Sequence, residues 1–180
     1  LLRVVSILLC ALLVVCCSGS LLVTIYTSDV MAIARQDGTI LYTNATVIAS
    51  GLQEEKDIEF LRNNLNSFSN DRVVKQDYGE ALSFTIKIPV VNENYQESFD
   101  SSKDLLFLYT HEEGQQVDMY CKYNDELVAT ISDYLQTEHF QAFDWNELAL
   151  SIRLENDLQD AVSVLAYSSF VNGEPFPLTA

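Results

Sequence analysis

Two stretches of this chain repeat each other in residue type, and that repetition limits its fold more than any other feature. Leu22-Val23-Thr24-Ile25-Tyr26-Thr27 matches Leu105-Leu106-Phe107-Leu108-Tyr109-Thr110, and Phe84-Thr85-Ile86-Lys87-Ile88 matches Leu150-Ser151-Ile152-Arg153-Leu154. Each pair brackets a turn, a second strand-like run and a helical stripe. In the first half, Leu21–Ala34 reads as a strand rich in β-branched and aromatic residues, and Gln36-Asp37-Gly38-Thr39 supplies a turn into a second strand, Ile40–Ala49. Glu54–Phe68 then changes to a helical period, with Ile58, Leu61, Leu65 and Phe68 three or four residues apart. Asn70-Asp71 ends that element, and Ala81–Val91 alternates cleanly until Pro89 removes a ladder donor and is expected to stop pairing.

Asn92–Lys103 has no apolar period and reads as a linker. Beyond it come a strand at 105–110, a turn at Glu113-Gly114-Gln115, a strand at Val117–Tyr123 and a helix at Asp125–Glu138. Leu127, Val128, Ile131, Tyr134 and Leu135 form the stripe of that helix, Asn124 suits its N-cap, and Asp125 and Glu126 suit its positive end. These patterns predict a duplicated α+β domain of two β-β-α-β units, 22–91 and 105–156, with an extra strand at Ala161–Val171 that extends the second half to 171. Neither unit buries a large core alone. The expected result is one mainly antiparallel sheet with two helices on one face, spanning residues 21–180 as a single domain.

Charge and cysteine placement narrow the setting. The chain has ten bases and 26 acids, a net charge of −16, and every acid lies beyond residue 20. Without Arg3, nine bases face 26 acids, a net −17. Such a surface repels nucleic acid and anionic headgroups, so no nucleic-acid partner is expected. Cys10, Cys16 and Cys17 precede the body and leave Cys121 alone within it, so the body has no disulfide framework. Cys121 lies in a strand-like run and is expected to be a small buried hydrophobe.

Residues 1–17 form an apolar leader. Val4–Cys17 contains one side chain that is not apolar, Ser6, and Arg3 stands just before it. Fourteen residues suit the hydrophobic region of a secretory signal, whereas a membrane-spanning helix needs roughly 20. With Cys16-Cys17 at the end of the run and Ser18-Gly19-Ser20 behind, this N-terminus resembles the lipobox leader of bacterial prolipoproteins. The resemblance covers about the first twenty residues. It implies a signal sequence over 1–17, lipidation at Cys17 (alternatively Cys16), and a tether over 18–20. Val14-Val15-Cys16-Cys17 is the preferred register; Leu13-Val14-Val15-Cys16 has a better first position but a bulky valine before the cleavage point. The competing expectation is an uncleaved anchor over the 23 residues from Val4 to Tyr26.

Sequence motifs supply no reaction. There are two histidines, His111 and His139, with no His-Glu-x-x-His, no paired Cys-x-x-Cys, no Gly-x-Ser-x-Gly and no phosphate-binding glycine loop. His111-Glu112-Glu113 sits in a strand, where neighbours point to opposite faces, and reads as a solvated hairpin end. His139 follows the second helix and suits its negative end. Asn92–Asp100 is rich in oxygen but lacks the glycine of a calcium loop. Asn44-Ala45-Thr46 is a sequon that matters only in a glycosylating host. Trp145 is expected at a core edge, and the nine tyrosines are enough to stud a binding face.

The expected protein is therefore a lipid-anchored component of the bacterial cell envelope, held at the membrane by lipid or helix. Its domain lies in the periplasm or outside the cell. It is non-enzymatic, with a structural or protein-binding role, no cofactor, no metal site and no catalytic residues. The alternative is a single-pass assembly subunit of an envelope complex.

Overall fold

The computed structural model describes residues 19–35, 39–77, 79–94, 101–114, 116–140, 148–163, 169–171 and 174–176. Cys16, Cys17, Ser18, the turn at 36–38, most of the oxygen-rich linker and Trp145 lie outside these residues. The fold is a mixed α+β architecture with a curled, mainly antiparallel sheet. Its strands are β1 (Gly19–Tyr26), β2 (Ile40–Ser50), β3 (Ser69–Gln76), β4 (Gly79–Asn92), β5 (Leu106–Glu113), β6 (Gln116–Tyr123) and β7 (Ala149–Glu155). The helices are α1 (Thr27–Arg35), α2 (Glu55–Asn64) and α3 (Asp125–His139). A separate two-stranded ladder joins β8 (Ser169–Val171) to β9 (Glu174–Phe176).

The main sheet runs β6-β5-β4-β2-β1-β7, with β3 also on β4. β1–β2, β2–β4, β3–β4 and β5–β6 are antiparallel, while β4–β5 and β1–β7 are parallel. Register assigns every side chain to a face, because directly paired residues point the same way. One face carries Leu21, Val23 and Ile25, then Ala45 and Val47, then Phe84, Ile86, Ile88 and Val90, then Leu106 and Leu108. These residues form one cluster with Val30 and Ile33 of α1, Leu61 and Leu65 at α2, and Leu127, Ile131 and Leu135 of α3. Three helices thus pack on the core face, one more than the sequence pattern predicts.

The additional helix corrects the long first strand. β1 ends at Tyr26 and α1 takes Thr27–Arg35. Val30, Ile33 and Ala34 are buried at helical spacing, with Asp29 in the first turn and Arg35 in the last. Ser28 donates its N–H and hydroxyl to the Asp157 carboxylate at 3.0 and 2.5 Å, closing the helix start with an anion. Asn92, itself buried, donates its amide to Ala34 O at 2.8 Å and closes the other end. These two contacts tie α1 to β4 and to the segment after β7.

Other boundaries also move. The α2 helix stops at Asn64, whose amide turns back to Phe60 O, and Ser67 and Asn70 take left-handed φ values of 55° and 56°. The polar stretch after it forms β3, an exposed edge strand that the sequence pattern omitted. Pro89 does not end β4: it pairs with Tyr42, and the strand continues to Asn92. Lys87 N–H points away from β2, to Asn66 O at 3.2 Å. Pro89 has the same parity, so its missing donor falls on the edge between β3 and β5 and costs no β2 bond. Of the predicted 161–171 strand, Ala161–Ser163 is not strand, Ser169–Val171 is, and 164–168 lie outside the described residues.

Two expectations about the N-terminal region change as well. Gly19 and Ser20 are not a tether, because they pair with Ala49 and Ile48 in β2. Leu21–Tyr26 is strand with Leu21, Val23 and Ile25 fully buried, so a spanning helix does not run on to Tyr26. Among the described residues, no helix is long and apolar enough to cross a membrane.

Candidate functional site

The most chemically loaded point among the described residues is a buried carboxylate between α2 and α3. Glu54 and Asp57 form a capping box at the start of α2, and Asp57 Oδ2 accepts the Glu54 N–H at 3.1 Å. Asp57 is completely buried. Its Oδ1 accepts from the Tyr134 hydroxyl at 2.7 Å and lies 2.7 Å from His139 Nε2. An ionised carboxylate offers only acceptors, so the imidazole tautomer that fits places its proton on Nε2. The Tyr134 ring stacks on Phe60 with centroids 3.8 Å apart, sealing the cluster from one side. Burial, reinforced by the hydrogen bond to Asp57, holds the Tyr134 phenol well above its ordinary value. Lys56 bridges Glu54 at 3.4 Å and Glu138 at 3.1 Å on the outside.

This geometry fixes α2 against α3. Asp57 orients an imidazole, but the described neighbours place no serine, threonine or cysteine in hydrogen bond with that ring. Among the described residues, no group of three or more His, Cys, Asp or Glu has metal-binding geometry. The nearby apolar cavity, about 50 Å³, is lined by Leu21, Val47, Leu61, Phe84, Ile131 and Leu135. That is far below the ~300 Å³ at which ligand pockets begin, and its lining favours a dry packing gap.

The remaining sequence candidates are dispersed. His111 Nδ1 lies 3.9 Å from Glu93, whereas Glu112 binds Arg35 at 2.9 Å, the opposite-face arrangement expected of strand neighbours. Asn124 caps α3 by accepting the Leu127 N–H at 3.3 Å. Cys121 is exposed rather than buried, because β6 is the outer strand of the sheet. Partial burial nevertheless pushes its thiol above the ordinary value, away from an activated thiolate. Asn44 is exposed on β2.

The tyrosines show a pattern that their count alone did not. Tyr26, Tyr42, Tyr109 and Tyr120 all lie on the sheet face opposite the helices. Tyr26 is 45% exposed, Tyr42 38% and Tyr120 49%, with Leu22 at 38% on the same face. Tyr109 and Tyr120 stack with centroids 5.2 Å apart. Register was needed to find this face: strand parity alone does not tell which side the helices cover.

Neither a curated protein nor a solved structure matches the chain significantly. A family model does match, across residues 20–180 and therefore nearly the whole described body. The chain belongs to that family, described as "Domain of unknown function (DUF7424)".

Proposed function

We propose that this is a lipid-anchored bacterial envelope protein whose acidic body is a non-enzymatic, protein-binding domain. The observation that carries the reading is that Gly19, only two residues after Cys17, is already paired with Ala49 in the sheet. In the lipobox reading, the paired sheet is reached within two residues of the lipidated cysteine. Two residues of chain reach at most about 7 Å, so a lipid on Cys17 holds the body close to the bilayer. Attachment through several acyl chains is stable, whereas one alone binds only marginally. The competing Val4–Tyr26 anchor loses support because its last eight residues are strand.

For the binding role, the support is the exposed tyrosine face, since tyrosine is enriched where proteins recognise proteins. The duplicated organisation belongs to the same reading. Its support is that β4 joins β5, and β7 joins β1, in parallel, as two similar halves would at their joints. The match is incomplete, because β2 pairs with β4 while β6 and β7 occupy opposite ends of the sheet order.

Metabolic palmitate labelling of the chain expressed in a bacterium tests the anchor. Label retained in Cys16→Ala and lost in Cys17→Ala is expected. An unlabelled, membrane-bound protein with an intact N-terminus would overturn it.

A further inference from the structure

The sheet ends in one long, regular edge. β6 is its outer strand beside β5, and the two stay in unbroken register from Gln116 opposite Glu113 to Tyr123 opposite Leu106. Among the described residues, β6 pairs with no other strand. The Asn124 N–H donates to Leu105 O at 3.0 Å, which continues the same register by one pair. Backbone groups alternate sides along a strand, so the even-numbered residues of β6 direct theirs to β5. Those of Val117, Met119 and Cys121 point outward, a template for one more strand. The other free edges are less suited to pairing. β3 has a register shift between Ser69 and Arg72, with Asn70 at φ 56°, the kind of irregularity that blunts an edge.

Side chains along β6 complement themselves. Asp118, Tyr120 and Lys122 are exposed and share the open face with Tyr109. The Gln116 amide donates to Asp118 Oδ1 at 2.6 Å and holds the carboxylate there, with further acceptor capacity left on it. A second β6, turned about a two-fold axis through Tyr120, runs antiparallel with the same face up. Met119 then lies opposite the second copy's Cys121, and their outward groups match as a hydrogen-bonded pair. Asp118 lies opposite the second copy's Lys122, and Lys122 opposite its Asp118. Both contacts fall in non-hydrogen-bonded pairs, where side chains are closest. Outward groups also match with the axis through Met119 or Cys121, but Asp118 then faces Tyr120 or Asn124 and no opposite charges meet. On β7, the Arg153–Glu155 couple centres on Leu154, one residue before the strand ends, so its register pairs only those three residues.

We infer that β6 pairs with β6 of a second copy of this chain, joining two seven-stranded sheets into one across a two-fold axis at Tyr120. The charge pattern selects the occupant, because Asp118 and Lys122 supply both halves of each contact. Pairing of this kind uses the same patch on both copies, so it closes at a dimer and leaves no β6 edge for further strands. The edge contact leaves the open face itself uncovered. The inference goes beyond the protein-binding reading above and does not depend on it.

Sedimentation velocity of the full chain in nonionic detergent, across a concentration series, tests this. The parent should dimerise. Asp118→Lys alone and Lys122→Asp alone should each weaken the dimer at least tenfold, because like charges then face each other at both contacts. An equal mixture of the two variants should recover parental association, since every lysine again faces an aspartate. Cys121→Pro should also abolish the dimer: it removes an outward donor and no bond to β5, a place where an edge strand tolerates proline. Circular dichroism checks that each variant keeps the parent's fold. A parent that stays monomeric at every concentration would overturn the inference. So would association unchanged in both charge variants, which would place it in the leader or the micelle, or a mixture that associates no better than either variant alone. Palmitate labelling is read separately, so the anchor and the dimer fail independently.

Discussion

The two faces of the sheet treat polar groups in opposite ways. On the helix side, the one fully buried carboxylate at the α2–α3 contact has its hydrogen bonds filled: Asp57 meets Tyr134, His139 and the Glu54 N–H. On the other side, Tyr26 and Tyr120 are 45% and 49% exposed, and Lys87, Lys122 and Arg153 are exposed as well. A buried polar group must be satisfied within the fold or it destabilises the fold, whereas an exposed one is free to be satisfied by something else. The comparison therefore separates residues that build the body from residues available for recognition.

Substitutions that break the comparison should differ in size. The largest effect is expected at the core face: Leu108→Ala, at a completely buried position, should lower unfolding free energy by about 3–4 kcal/mol in urea titrations. Asp57→Ala follows, at roughly 3 kcal/mol, because it strands the Tyr134 hydroxyl and the His139 N–H; a loss under 1 kcal/mol would show that water satisfies them instead. Asn124→Ala removes the α3 cap and should cost about 1 kcal/mol. On the open face, Arg153→Ser and Lys122→Ser should change stability by less than about 0.5 kcal/mol. A loss comparable with Asp57→Ala would erase the distinction between the faces.

Alkaline titration sharpens the same contrast. The folded state raises the Tyr134 phenol, so it favours the protonated form. That contribution is complete below the ordinary phenol value, near 10, and is lost as pH rises above it toward the folded value. Tyr134→Phe should start less stable at neutral pH and lose less on going above pH 10. Tyr120 and Tyr123 are also raised by burial, so the slope should shrink without vanishing.

The sequence exposes some of this architecture directly. Strands β2, β5 and β6, the α3 stripe and the Asn124 cap follow from alternation, helical spacing and a favoured N-cap residue. The α1 helix was hidden because Leu21–Ala34 is largely apolar, and its start signal, Thr27-Ser28-Asp29, lies inside that run. β3 was hidden for the opposite reason: Ser69–Gln76 is mostly polar and becomes a strand by pairing with β4. The carboxylate cluster had no local signature. Glu54-x-x-Asp57 departs from the usual Ser/Thr capping box, and Asp57 and His139 are 82 residues apart. Tyrosines in strands were visible individually, but their shared face depends on four separate registers.

Hydroxyl-radical footprinting of the full chain tests the division between the faces most directly. Tyr26 and Tyr120 should oxidise readily, while Leu108 stays unreactive and Tyr134 only weakly reactive. Oxidation of Tyr134 at the rate of Tyr120 in the folded protein would contradict it.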